Sequence, residues 1–109
     1  MVAPAAVGGV ASAHPVATDW IVFRCDGLDF GMPLTRVREI LAPRRLTRLP
    51  GCGPAVGGLL GVRGRVVTAF DFGAALGLRP LEPAAGPLLL VEDGERLVAF
   101  AVREVRGLA

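Results

Sequence analysis

At 109 residues the chain fits a single domain, and its 52% hydrophobic and 20% charged content excludes a disordered, charge-dominated polymer. The formal net charge is +2, and with no Lys every basic side chain is Arg, which excludes a P-loop lysine and a Schiff-base lysine. No run approaches about 18 apolar residues free of Gly, Pro or charge, so neither a transmembrane helix nor direct membrane insertion is expected.

Residues 1–18 are mostly Ala, Val, Gly and Pro, with no charged side chain before Asp19, and read as a flexible N-terminal extension. Ala11-Ser12-Ala13 fits a signal-cleavage pattern, but a basic leader is missing and Pro4, Gly8 and Gly9 interrupt the apolar run. From Trp20 the pattern turns to strands. Residues 20–25 are strand formers, Asp26-Gly27 is a hairpin pair, and Leu28, Phe30 and Met32 alternate with Asp29 and Gly31. Residues 35–42 predict a short turn continuing as a strand, followed by an irregular Arg-rich segment between Pro43 and Pro50. Residues 57–62 and 66–70 predict a strand pair around Arg63-Gly64-Arg65, with the glycines allowing tight bends. Residues 71–77 predict one or two helical turns, with Asp71 as N-cap and Gly77 as stop. A loop over 80–86 precedes a second hairpin, 88–92 and 96–102, turning at Asp93-Gly94. Many short strands with Gly and Pro between them predict an all-β fold, a small barrel or sandwich.

Catalytic groups are scarce. The one His (His14) and the one Ser (Ser12) lie in the extension, which leaves no ordered Ser-His-Asp arrangement. Cys25 and Cys52 lack metal-ligand or Cys-x-x-Cys spacing and are expected to be small buried side chains. No enzyme activity, cofactor or metal is therefore expected.

The two hairpins echo one another, each followed by a Val-Arg-Glu-aliphatic run: Val37 to Ile40 and Val102 to Val105. A genuine repeat predicts a first unit over about 20–86 and a second, unfinished unit starting near 87, with chance similarity as the alternative. Charge is uneven. Residues 36–65 carry seven Arg against Glu39, and residues 82–104 carry five acids against Arg96 and Arg103. An Arg stripe suits carboxylate or phosphate partners. Between residues 31 and 69 there is no aromatic side chain to stack bases, so a solvated face or a protein-binding face is favoured over nucleic acid.

The run GLLGVRGRVVTAFDFGAALGL (58–78) resembles the core signature of CheW-like domains: an apolar strand, an Arg-Gly turn, an apolar strand ending in Asp, and a short helix closing near Leu-Gly. Val22-Phe23, Phe30-Gly31, Val37-x-Glu39-Ile40 and Thr47-x-x-Pro50 resemble its opening segments, and 88–105 its next hairpin. The resemblance covers about residues 20–106. It implies paired small five-stranded SH3-like barrels, here one barrel plus an incomplete second one made of a single hairpin. It divides the chain into the extension, 1–18, and a CheW-like domain, 19–109, whose second subdomain is cut short after about 87. It also implies a non-enzymatic cytoplasmic adaptor of a two-component chemotaxis system. Its partners would be the cytoplasmic tip of a methyl-accepting-type chemoreceptor and the regulatory domain of a histidine kinase.

By that resemblance Arg63 falls on a receptor-binding arginine, and Leu59, Leu60 and Val62 on the adjacent apolar strand. Glu39, Ile40, Gly64 and Asp71 fall on positions with contact or structural roles. Thr68 replaces a frequent Pro and Arg103 a usual Asp, and the family pattern continues beyond Ala109. Two other readings remain: an Arg-rich barrel binding RNA or single-stranded DNA, and a CheW-like remnant without independent function.

Overall fold

The computed structural model describes residues 19–109. The extension, with Ser12 and His14, lies outside them. Eight strands carry the fold: β1 (Trp20–Cys25), β2 (Leu28–Pro33), β3 (Val37–Leu41), β4 (Val56–Val62), β5 (Arg65–Asp71), β6 (Leu88–Asp93), β7 (Arg96–Ala101) and β8 (Glu104–Leu108). One helical turn, α1 (Phe72–Ala75), follows β5, and a 3-10 turn over Leu34–Arg36 precedes β3.

The hairpin loops follow from local chemistry. Asp26-Gly27 and Arg63-Gly64 each place both residues at positive φ, the type I′ pattern whose twist suits two-residue loops. The third hairpin turns one residue later than Asp93-Gly94 predicts. Asp93 pairs with Arg96, and Gly94-Glu95 forms the loop with only Gly94 at positive φ, the type II′ pattern. Asp71 caps α1 as expected, its carboxylate accepting the Ala74 N–H.

The strands form two sheets, ordered β2-β1-β8 and β3-β6-β7-β5-β4. This corrects the division at residue 87. The β6–β7 hairpin is not the start of the unfinished unit; it lies inside the five-stranded sheet, antiparallel to β3 through β6 and parallel to β5 through β7. The smaller sheet is built instead from the β1–β2 hairpin and β8. Each hairpin therefore pairs with the third strand of the other half.

Two cores result. Ile21, Phe23, Cys25 and Phe30 of the three-stranded sheet pack with Leu89 and Val91 of β6. On the other face of β6, Leu88 and Leu90 pack with Leu60, Val62, Val67, Ala69 and Ala99. Leu88 to Val91 is thus buried on both faces and reads as an unbroken apolar run. All five Phe join in one chain linking the sheets. Phe72 of α1 is the hub, with ring centroids 4.8 Å from Phe23, 5.1 Å from Phe30 and 5.8 Å from Phe100, and Phe70 adjoins Phe100 at 6.0 Å.

Candidate functional site

The β4–β5 hairpin presents the residues singled out by sequence. Its loop holds Arg63 at φ 47°, a conformation that L side chains seldom adopt. Gly64 follows at φ 82°, and because a Cβ there would meet open space, backbone conformation and not room demands the glycine. Non-glycine residues in this region carry about 1 kcal/mol of strain, which Asp26 and Ala84 share with Arg63 among the described residues. Arg63 ion-pairs with Glu39 of β3, which links the loop at the end of edge strand β4 to the sheet's other edge strand. The Arg63 side chain nonetheless stays 68% exposed, and its guanidinium remains open to a further carboxylate.

Strand parity separates the neighbours. Leu60 and Val62 point inward with Val67 and are only 6% and 7% exposed. They brace the hairpin from within and offer a partner nothing, contrary to the role the resemblance gave them. Leu59 and Gly61 point outward, opposite Thr68 and Val66. Val66 is 75% exposed and is the contact candidate that motif reading missed. The clue lay in composition, since the Leu59–Gly61–Val66–Thr68 face is too poor in apolar bulk to be a core face. Gly61 has open space where a Cβ would stand, which leaves the patch flat beside Arg63. Ile40 is 46% exposed on β3, next to Glu39.

Asp71 is structural. It is buried, with one carboxylate oxygen accepting the Ala74 N–H at 3.0 Å and the other the Leu81 N–H at 2.7 Å. The Gly58 requirement is also structural. A Cβ there would stand 2.5 Å from the Thr47 carbonyl oxygen, because residues 46–47 run tight against β4 and Thr47 exchanges two backbone hydrogen bonds with Leu59. The cysteines differ from expectation: both are free, but only Cys25 is buried and Cys52 is exposed. Burial pushes the Cys25 thiol pKa up. Elsewhere, a hydrogen bond from Arg24 holds the Asp29 carboxyl below its ordinary range. Among the described residues no three His, Cys, Asp or Glu side chains converge on a metal site, and no helix is long and apolar enough to cross a membrane.

The CheW-like domain profile matches residues 19–109. The chain belongs to the CheW-like domain family. Protein PilI of Pseudomonas aeruginosa is 34% identical over 104 residues, covering 92% of this chain and 58% of PilI. Chemotaxis protein CheW of Bacillus subtilis is 28% identical over 85 residues, covering 78% of this chain and 49% of that protein. The chain thus spans about half the length of these relatives. The crystal structure of scaffolding protein TtCheW from Thermoanaerobacter tengcongensis superposes with a TM-score of 0.78 at 18% identity, covering 88% of this chain and 63% of the other. The two sheets therefore correspond to the CheW fold of paired SH3-like barrels. Within this CheW-like frame Arg103 serves through its backbone, its N–H donating to the Arg24 carbonyl at 2.9 Å.

Proposed function

We propose that the chain couples a chemoreceptor to a histidine kinase in a cytoplasmic chemotaxis-type pathway. The outer face of the β4–β5 hairpin meets the receptor's helical tip. One observation carries this reading: an arginine kept in a strained turn, largely exposed, beside the flat apolar surface of Leu59, Gly61 and Val66. An amphipathic helix fits such a surface, laying its apolar stripe on the strands and a carboxylate on the guanidinium. Glu39 orients Arg63 in the free protein and yields it to the partner at small cost, because an exposed ion pair contributes only about 0–1 kcal/mol.

The nucleic-acid reading is the less favoured one. All five Phe lie in the chain that joins the two sheets, so the Arg-rich surface has no stacking platform from them.

The test is calorimetric titration of the full chain with a soluble chemoreceptor-tip fragment. Arg63→Ala is expected to cost about 1–3 kcal/mol of binding, the range of an interface anchor. Equal losses from Arg36→Ala and Arg48→Ala would replace the anchor with diffuse electrostatics. Kinase coupling is read separately, as receptor-dependent phosphorylation in a reconstituted mixture with and without the chain.

A further inference from the structure

A second surface lies beside β4, where the segment around residues 44–54 runs along the strand, with Thr47 opposite Leu59 and Arg44 reaching Gly61. There a groove of about 480 Å³ opens between the segment around residues 44–54 and the loop 80–86. Its size falls within the roughly 300–1,000 Å³ typical of ligand pockets. Arg44, Arg45 and Arg48 line one wall, and Glu82 the other. Leu46 and Leu81 supply apolar surface between them. Asp71 also borders the groove, but both its carboxylate oxygens are already engaged by N–H groups.

Both walls are held in place. The arginine segment is clamped to β4 by the paired Thr47–Leu59 backbone bonds, by the glycine-only approach at Gly58, and by Arg44 donating to the Gly61 carbonyl at 3.1 Å. The far wall is tied by the Leu81 N–H to Asp71 and by Gly86, where a Cβ would overlap the Val102 carbonyl oxygen at 1.9 Å. Among the described residues Arg45 and Arg48 enter no ion pair, so their charge is unspent.

We propose that this groove binds an acidic, extended segment of a partner protein, with carboxylates on Arg45 and Arg48 and an aliphatic side chain over Leu46 and Leu81. Charge complementarity names the occupant: three Arg line the groove against Glu82 and the already engaged Asp71, and the guanidinium fork suits carboxylates. No aromatic lines the groove, which disfavours a single-stranded nucleic acid. The proposal goes beyond the receptor contact and does not depend on it, because Arg63 lies outside the groove.

The experiment titrates the full chain with the blocked peptide Glu-Asp-Leu-Glu-Asp at low salt. Saturable one-to-one binding is expected. It should weaken about tenfold in the Arg45→Ala/Arg48→Ala variant and stay unchanged in the remote Arg36→Ala/Arg65→Ala variant. Replacing the peptide's Leu by Ser should weaken it further. Three outcomes overturn the proposal: no saturation by about 1 mM, an equal loss from the remote pair Arg36→Ala/Arg65→Ala, or tighter binding of an oligodeoxyuridine than of the peptide. These surface changes leave the core intact, so native stability of each variant confirms that a loss reports on the groove.

Discussion

The β1–β2 hairpin with β8 and the β6–β7 hairpin with β3 are versions of one unit with different surroundings. In each, the third strand reaches its bulge through a Val eleven positions after the first loop residue, Val37 after Asp26 and Val105 after Gly94. The registers match: Val105 and Gly107 face Phe23 and Val22, as Val37 and Glu39 face Val91 and Leu90. Each bulge skips one arginine, Arg106 or Arg38, and each arginine finds a carboxylate, Glu104 or Glu92. The true echo of Val37 to Ile40 is therefore Val105 to Leu108, three residues beyond the sequence match.

What differs is the cover. β7 continues into β5 and β4, and the whole of Leu88–Val91 is buried. Among the described residues β2 pairs only with β1, and Trp20 and Val22 remain half-buried. Gly31 lies under the Trp20 ring, its would-be Cβ 3.4 Å from the indole, so the open side is partly shielded by that one side chain. Equal units thus acquire unequal stability from what is added to their edges, which is a tertiary effect.

The largest test of this comparison removes the link between the halves. Phe72→Ala deletes three aromatic contacts between the sheets and should destabilise the chain by about 3 kcal/mol in urea melts. Hydrogen exchange in the variant should show β2 and β8 opening before β6 and β7. Uniform exchange in both sheets would break the comparison. Next comes Asp71→Ala, which strips the α1 cap and orphans the Leu81 N–H. About 2 kcal/mol should be lost, while Asp71→Asn, retaining one acceptor oxygen, should lose less.

A third test reads the core of the smaller sheet by pH. Burial raises the Cys25 pKa above its ordinary value, so the folded state holds its proton more tightly than the unfolded state. That stabilisation is fully present below the unfolded thiol pKa and is lost as pH rises from about 9 through the folded pKa, by at most about 1.4 kcal/mol per unit. Urea melts across this range should show the decline, and Cys25→Ala should remove it.

Local chemistry made much of this legible. Asp26-Gly27, the Arg63-Gly64 turn, the Asp71 cap and the β period each depend on neighbours in sequence. The exchange of β3 and β8 between hairpins does not, because strand pairing across such separations leaves no local mark. The one available hint was the unbroken run Leu88–Val91, which signals burial on both faces and hence a central position. At the site, the motif named Arg63 but could not sort its neighbours. Only parity from the loop places Leu60 and Val62 inside and Leu59 and Val66 outside. Residue type alone predicts burial for Cys52, and its irregular segment carries no periodicity to correct that.

The smallest expected change in stability is the most specific for function. Arg63→Asn relieves the strain of a bulky side chain at positive φ, since Asn tolerates the left-handed region, a gain of up to about 1 kcal/mol. It also removes the ion pair to Glu39, an exposed contact worth about 0–1 kcal/mol. The two effects oppose and nearly cancel, so thermal melts of the variant should lie within about 0.5 kcal/mol of the native chain. Binding to a receptor-tip fragment should still fall by about 1–3 kcal/mol, because Asn supplies no guanidinium fork to a carboxylate. A variant that is clearly stabilised and binds unchanged would assign Arg63 no role beyond its turn. One that is clearly destabilised would make the Glu39 pair a structural clasp of the five-stranded sheet.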